Sequence, residues 1–201
     1  GYSGRLIQVD GAIGPRPVRP GGPPIWVGGK IARSATRAAQ LGDGYLAGTH
    51  FPTELVMRQI ERYRLALSEL GRDPASGAVS LNRLMVLAED PEQAWSEAAP
   101  WLGKLLRKYV ALKMLPGAAA LADADPGDLA ALKSAAAGIC LVGSPETVLP
   151  ELEAYRTAGV NQLQIRPAPS GLPADLVART ITLAGRHLIP HFGPEAKTSG
   201  I

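Results

Sequence analysis

A pair of glycines follows a short apolar run near the start of the chain and precedes a helical pattern. Ile25, Trp26 and Val27 form the run, and Gly28 and Gly29 end it. Backbone without side chains at the end of a strand lets a bound group approach closely, and the N–H donors of a following helix suit a phosphate. The alternative is that the glycines only make a tight turn between strand and helix. The spacing leaves both interpretations open.

Two further side chains are candidates for contact with a ligand. In the run NQLQIRP, Leu163 and Ile165 are expected to face packed helices. Alternation then directs Arg166 to the opposite side, at the carboxyl end of its strand. There the guanidinium either binds a phosphate or carboxylate or forms an ion pair at the rim. His50, in GTHFP, is either a ligand contact or a solvated turn residue.

These residues lie in a repeated order of short strand and helix. The strand candidates are PIWVG, YLAG, AVSLNRLMVLA and NQLQIRP, and an amphipathic helical pattern follows each of them. Such alternation predicts an α/β protein with parallel strands and crossover helices. Four units are half of a (β/α)8 barrel, whose usual length is about 250 residues. We therefore expect a half-barrel from which an N-terminal half is missing.

Two segments depart from this alternation within the predicted single domain of residues 1–201. Residues 1–22 end in a stretch so rich in Pro and Gly that they form a lead-in loop. Residues 114–138 break twice at Pro-Gly and offer no strand candidate, which predicts an inserted helical loop late in the chain. Asp43, between Gly42 and Gly44, is expected to satisfy N–H groups of a turn.

The composition excludes several classes of protein. The chain is 46% hydrophobic and 19% charged, with a net charge of +3 and no block of basic residues, which is a poor signature for nucleic-acid binding. No apolar stretch approaches the roughly 20 residues that span a bilayer, and no signal pattern opens the chain, so a cytoplasmic protein is expected. Cys140 is the only cysteine and the three histidines are scattered, so no metal site is predicted.

Several motifs occur in one order along the chain: GGPPIWVGG, RAAQLGDGY, LVGSPETV, YRTAGVNQLQIRP and LIPHF. Together they resemble the C-terminal part of the luciferase-like flavin-dependent oxidoreductase family. The similarity extends from about Arg16 to Phe192, which is nearly all of the chain. Within the family, the chain is most similar to members that use the deazaflavin coenzyme F420 instead of FMN.

The resemblance implies a (β/α)8 barrel whose cofactor, coenzyme F420 or FMN, lies across the C-terminal mouth. The loop after the first strand candidate would lie beside the ring and the phosphate-bearing side chain of the cofactor, and Thr49 would belong to the next cofactor-facing loop. Lys30 departs from the small or hydroxylated residue expected there, and it either pairs with the phosphate or points to solvent. The residues predicted to bind the cofactor are Trp26, Val27, Gly28, Gly29, Lys30, Thr49, His50 and Arg166.

The implied activity is that of an oxidoreductase acting on a small organic molecule, either by hydride exchange with a deazaflavin or by oxygenation with reduced FMN. The family's catalytic acid or base lies on its first four strands, so no residue of this chain is assigned as proton donor or acceptor. The alternative is a non-catalytic half-barrel paralogue that binds the cofactor alone or a partner subunit. A homo-oligomer, such as a dimer, is expected.

Overall fold

The computed structural model describes residues 1–11, 14–48, 50–167 and 171–192. The strands are β1 (Tyr2–Ser3), β2 (Gln8–Val9), β3 (Trp26–Gly28), β4 (Gly44–Ala47), β5 (Ala78–Leu87), β6 (Cys140–Gly143) and β7 (Gln162–Arg166). The helices are α1 (Ala32–Leu41), α2 (Thr53–Glu69), α3 (Pro91–Ala111), α4 (Leu129–Ala136), α5 (Pro145–Ala158), α6 (Ala174–Leu183) and α7 (Ile189–Phe192). A 3₁₀ helix spans Pro116–Ala122, and a π-helical turn spans Ala184–Leu188.

A five-stranded parallel sheet organises the chain. β3, β4, β5 and β7 pair side by side in that order, all parallel, and these are the four strands that the sequence predicts. β5 is the longest strand, and its edges carry different partners. β7 pairs along one edge, whereas β4 and then β6 share the other, so that Leu84 lies between Cys140 and Arg166. The α/β class is confirmed.

The two faces of this sheet are covered differently. One face carries apolar residues that pack against α1, α2 and α5, and we call it the packed face. Its strand residues are Val27, Tyr45, Ala47, Val79, Leu81, Met85, Leu163 and Ile165. The alternate residues form the other face, which α3, α4 and α6 cover only at the carboxyl end of β5, around Leu84 and Val86. Elsewhere this face is exposed or half-buried at Trp26, Gly28, Leu46, Asn82, Gln164 and Arg166, whereas Ser80 is buried, and we call it the open face.

Local sequence explains how the helices begin and end. Ser144 caps α5 through a reciprocal capping box with Thr147, and Asp90 accepts a hydrogen bond from the backbone of Glu92 at the start of α3. Gly42 ends α1 by donating its N–H to the carbonyl of Ala38. Within the described ranges, none of the helices combines the length and the apolar character that a bilayer crossing requires.

The structure differs from the prediction in three places. The apolar run GICLVG around Cys140 predicts buried core, and it is buried, but it also forms the strand β6, which the sequence does not predict. Residues within the lead-in segment pair as the small antiparallel hairpin of β1 and β2. The sequence before Pro190 predicts a last helix from about Ala174 to Leu188, whereas helical structure continues through Pro190 to Phe192 because a proline is tolerated in the first turn of a helix.

Candidate functional site

The two glycines after β3 have different structural roles. Gly29 has a φ of +150°, and a Cβ at that position would lie 2.2 Å from Ser34 Oγ and 2.6 Å from Ser34 Cβ. Its carbonyl also accepts a 2.7 Å hydrogen bond from the Tyr45 hydroxyl. Gly28 is exposed, and a Cβ there would meet only the carbonyl and side chain of Leu46, at 3.3 and 3.9 Å. The turn itself therefore requires Gly29, whereas Gly28 presents backbone to the open face.

The neighbouring strand residues point to opposite sides of the sheet. Trp26 is half-buried and lies over Gly44, whose added Cβ would be 3.1 Å from the Trp26 ring. Val27 packs into the core beneath α1 and α2. Of the residues proposed to bind a ligand here, Trp26 can use its side chain on the open face, but Val27 can contribute only its backbone.

A cavity of about 340 Å³ lies at the carboxyl ends of β3 and β4, and it brings Lys30 and His50 together. Small-molecule sites commonly occupy roughly 300 to 1,000 Å³, so the cavity can hold a phosphate with part of a ligand. Its wall is completed by the start of α2 and by the segment that the sequence predicts to be an inserted loop. The other lining residues are Phe51, Pro52, Leu55, Arg58, Met114, Leu115, Gly117, Ala118, Ser134, Ala135, Ala137 and Ile139.

The rim of this cavity is cationic. Lys30 and Arg58 both line it with exposed side chains, one from the turn before α1 and the other from α2. In the described structure α1 begins at Ala32 with no side-chain cap and no acidic residue in its first turn. The positive end of a helix dipole adds to the field of the two cations. The remaining wall is largely apolar, so the cavity suits a ligand that carries one anionic end.

His50 lies inside this wall and not in solvent. It is half-buried, and its ring meets Phe51 and Tyr109 edge-on, with centroids 4.9 and 6.0 Å apart. Burial, and then the positive charge of Lys30, lower the pKa of His50 below its ordinary value. The imidazole is thus neutral near pH 7 and can donate or accept a hydrogen bond there.

Arg166 occupies the open face and is not part of the cavity wall. It is exposed at the end of β7, in register with Leu84 of β5, and the alternation predicted for this strand is observed. Leu163 and Ile165 pack against the core, as expected. Three strand spacings of about 4.8 Å separate β7 from β3, or roughly 14 Å. A ligand that contacts both Gly28 and Arg166 must therefore be elongated.

Some site residues escape prediction from sequence, and one predicted residue cannot be placed. Arg58 and Tyr109 lie on helices whose patterns predict only which side is buried, and nothing in the sequence shows that Arg58 lines the cavity or that the Tyr109 ring meets His50. The Pro-Gly breaks around residue 116 mark the segment that supplies Met114 and Leu115. Thr49 lies outside the described residues.

Asp43, in the turn that joins α1 to β4, binds an N–H group 18 residues earlier in the chain instead of the turn donors expected of it. Its carboxylate accepts a 2.7 Å hydrogen bond from the backbone N–H of Ile25, and its own N–H donates to the Ile25 carbonyl. Throughout the part of the chain that the structure describes, no three His, Cys, Asp or Glu side chains gather closely enough to hold a metal ion.

Comparison with protein families gives a match over most of the chain. A model of the luciferase-like monooxygenase family matches residues 1–162, which include the glycine turn, the cavity rim and the long strand β5. This agrees with the resemblance found in the motifs.

Solved structures with the same fold also belong to redox enzymes. Monooxygenase RslO1 from Streptomyces bottropensis is 25% identical, with a TM-score of 0.63 over 89% of this chain and 51% of its own. The coenzyme F420-dependent tetrahydromethanopterin reductase from Methanopyrus kandleri is 19% identical, with a TM-score of 0.62 over 85% of this chain and 51% of its own.

A third structure, the oxygenating constituent of 3,6-diketocamphane monooxygenase from Pseudomonas putida, was solved in complex with FMN. It is 21% identical, with a TM-score of 0.60 over 84% of this chain and 49% of its own. The chain thus spans about half the length of the solved structures that it matches.

Proposed function

Because the chain belongs to the luciferase-like monooxygenase family, we propose that it is part of an oxidoreductase that binds coenzyme F420 or FMN and acts on a small organic molecule. The observation that carries the proposal is the cationic cavity at the carboxyl ends of β3 and β4, whose lining residue Lys30 lies two residues after the exposed backbone of Gly28. Ligands of parallel α/β proteins bind at this end of the strands.

The residues present fit such a cofactor. Lys30 and Arg58 would hold the phosphate at the cavity rim, with the uncapped start of α1 beside them. The tricyclic ring would extend over the open face, where Gly28 leaves room beside Leu46 and Trp26 offers an aromatic edge. Arg166 would then contact a second anionic or carbonyl group farther along the elongated ligand.

In this proposal the bound cofactor supplies the redox chemistry, and the protein supplies orientation and a dry surface. Lys30 and Arg58 fix the anionic end, and His50 offers a neutral imidazole beside it. No group of this chain is assigned as catalytic acid or base. The substrate would bind against the exposed side of the cofactor, which the described residues leave uncovered.

We further propose that the sheet is the C-terminal half of a (β/α)8 barrel, with residues 114–138 as a late insertion over its mouth. Two features support this. Within the described residues, β3 and β7 are each paired along one edge only, and the open face bears the polar side chains of Asn82, Gln164 and Arg166. A second set of four strands would pair with both edges and enclose that face.

The proposal is tested by titrating the full-length protein with FMN, with coenzyme F420 and with riboflavin, while the visible absorption spectrum is recorded. We expect one of the two phosphate-bearing cofactors to bind, and riboflavin to bind more weakly than FMN. The double variant Lys30→Met, Arg58→Met should lose most of the preference for FMN over riboflavin. Tight binding without turnover of any reductant would favour the non-catalytic paralogue. Failure of both cofactors to bind would refute the proposed function.

A further inference from the structure

A buried polar network lies directly behind the cavity wall. Arg83, fully buried on the packed face of β5, donates from Nε to the Tyr155 hydroxyl at 3.0 Å, and its guanidinium lies over the Tyr155 ring at 5.1 Å. The Tyr155 hydroxyl in turn donates to the Glu151 carboxylate. The hydroxyls of Tyr155 and Thr53 are 3.2 Å apart. The network thus links β5, α5 and the first residue of α2.

Thr53 connects this network to both walls of the cavity. Since the Tyr155 proton goes to Glu151, the Thr53 hydroxyl shares its one proton between the Tyr155 oxygen and the Gly138 carbonyl, which lies 3.1 Å away and 85 residues along the sequence. Thr53 directly follows Pro52, which lines the cavity with His50, and Gly138 lies between two other lining residues, Ala137 and Ile139. Gly138 has a φ of +67°, and a Cβ there would be 3.4 Å from the Thr53 backbone nitrogen. The two segments are therefore clamped in direct contact.

The cost of such a network suggests a role beyond stability. A fully buried guanidinium and a carboxylate that share a tyrosine lose much of their hydration, and an apolar set of the same shape is often no less stable. Burial raises the pKa of Tyr155 to about 12, so its hydroxyl keeps its proton and remains a donor at neutral pH. Hydrogen bonds with fixed directions determine where the joined segments lie, which apolar packing does less sharply.

We infer that Arg83, Tyr155 and Thr53 are positioning residues that set the separation of the 50–52 loop and residues 137–139, and thereby the shape of the cationic cavity. The inference rests on the proposed function only for what the cavity binds. Loss of one hydroxyl should let the two walls separate and water enter, while the fold remains.

The test uses two conservative variants of the full-length protein, each with a matched control. Tyr155→Phe removes the shared hydroxyl, and Tyr63→Phe is its control, since Tyr63 is fully buried with a hydroxyl that has no hydrogen-bond partner among the described residues. Thr53→Val removes the clamp, Thr53→Ser restores it, and Thr180→Val is a buried control whose hydroxyl binds the backbone of β5.

The first measurement needs no cofactor. The imidazole of His50 is titrated by NMR, with its signal assigned from His50→Gln. We expect its pKa to rise toward the ordinary value in Tyr155→Phe and Thr53→Val, because water reaches the ring, and to stay unchanged in Thr53→Ser and both controls. In parallel, the Kd for FMN should rise roughly two- to tenfold, the effect of one hydrogen bond, with kcat less affected than KM.

An unchanged pKa of His50 in both network variants, or an equal rise in the controls, would overturn the inference. If a variant does not fold, hydrogen exchange of the wild type decides. The amides of Phe51 and Ile139, both hydrogen-bonded in the structure, should then open together, and independent opening would contradict the clamp. Absence of FMN binding by the wild type would count against the proposed function alone, since the titration of His50 does not depend on it.

Discussion

The packed face and the open face of the sheet are built from alternate residues of the same strands, yet they have opposite surroundings. On β7, Leu163 and Ile165 lie in the core while Gln164 and Arg166 are exposed. On β3, Val27 packs beneath α1 while Gly28 remains open. Under the proposed function, this difference means that stability depends on one side of a strand and binding on the other. A substitution at one residue and at its neighbour should therefore have different consequences.

The largest effect is expected from shortening a side chain on the packed face. Leu81 is fully buried between α2 and α5 in the main core. Leu81→Ala should lower the free energy of unfolding by about 2 to 5 kcal/mol, measured by chemical denaturation of the full-length protein. Gln164 follows Leu163, the residue of β7 that pairs with Leu81, but it lies on the open face. Gln164→Ala should therefore change the free energy of unfolding by about 0.5 kcal/mol or less. Similar losses in both variants would mean that the open face is also a packed core.

In the glycine pair, we expect Gly29 to serve folding stability and Gly28 to serve cofactor binding. Gly29→Ala should cost roughly 1 to 3 kcal/mol of folding stability, because an L residue is strained at a φ of +150° and its Cβ would collide with Ser34. Gly28→Val should instead weaken cofactor binding more than it lowers the melting temperature, since its side chain would enter the open face. The two variants are compared by thermal melting and by cofactor titration. If Gly28→Val instead lowers the melting temperature more than it weakens cofactor binding, Gly28 serves the turn alone.

Arg166 tests whether the ligand extends to the far end of the open face. Arg166→Met keeps the length and apolar stem but removes the donors, so the full-length protein should stay folded. It should lose about 1 to 3 kcal/mol of affinity for an anionic cofactor or substrate. Titrations of both ligands at low and moderate salt measure this. Unchanged affinity for each would place Arg166 at a solvated rim.

The smallest effect is expected from pH, through the affinity of the cationic cavity for an anion. The pKa of His50 is lowered by burial and by Lys30, while Arg58 also lines the cavity and the Tyr109 ring meets the imidazole edge-on. An anion bound there raises that pKa, so binding takes up a proton and becomes tighter as the pH falls through the range in which the imidazole is protonated. Comparison with His50→Gln isolates this contribution from the titration of the phosphate itself. If the affinity for the anion depends on pH in the same way in both proteins, His50 does not contact the bound anion.

Much of the fold could be predicted from local pattern, and the convergence of distant segments could not. Short apolar runs and helical periodicity identify β3, β4, β5 and β7, and alternation alone assigns Arg166 to the open face. β6 was missed because its four apolar residues have no period that separates a strand from other buried chain. Lys30 and His50 could be predicted beside a cofactor only by resemblance to a family.

The network behind the cavity shows the same limit more sharply. Arg83 lies in a strand whose pattern predicts an apolar residue on that side, and Tyr155 fits an ordinary buried helix position. Arg83 and Tyr155 are 72 residues apart in the sequence, and Tyr155 and Thr53 are 102 residues apart. Such contacts come from the packing of whole elements, which a single sequence does not reveal.

The central claim is that an anionic cofactor spans the cationic cavity and the open face. A crystal structure of the full-length protein with bound coenzyme F420 or FMN tests it most directly. We predict that the phosphate lies within hydrogen-bonding distance of the Lys30 ammonium or the Arg58 guanidinium, with the ring over Gly28 on the open face. A cofactor whose phosphate is held elsewhere, with this cavity free of it, would contradict the account.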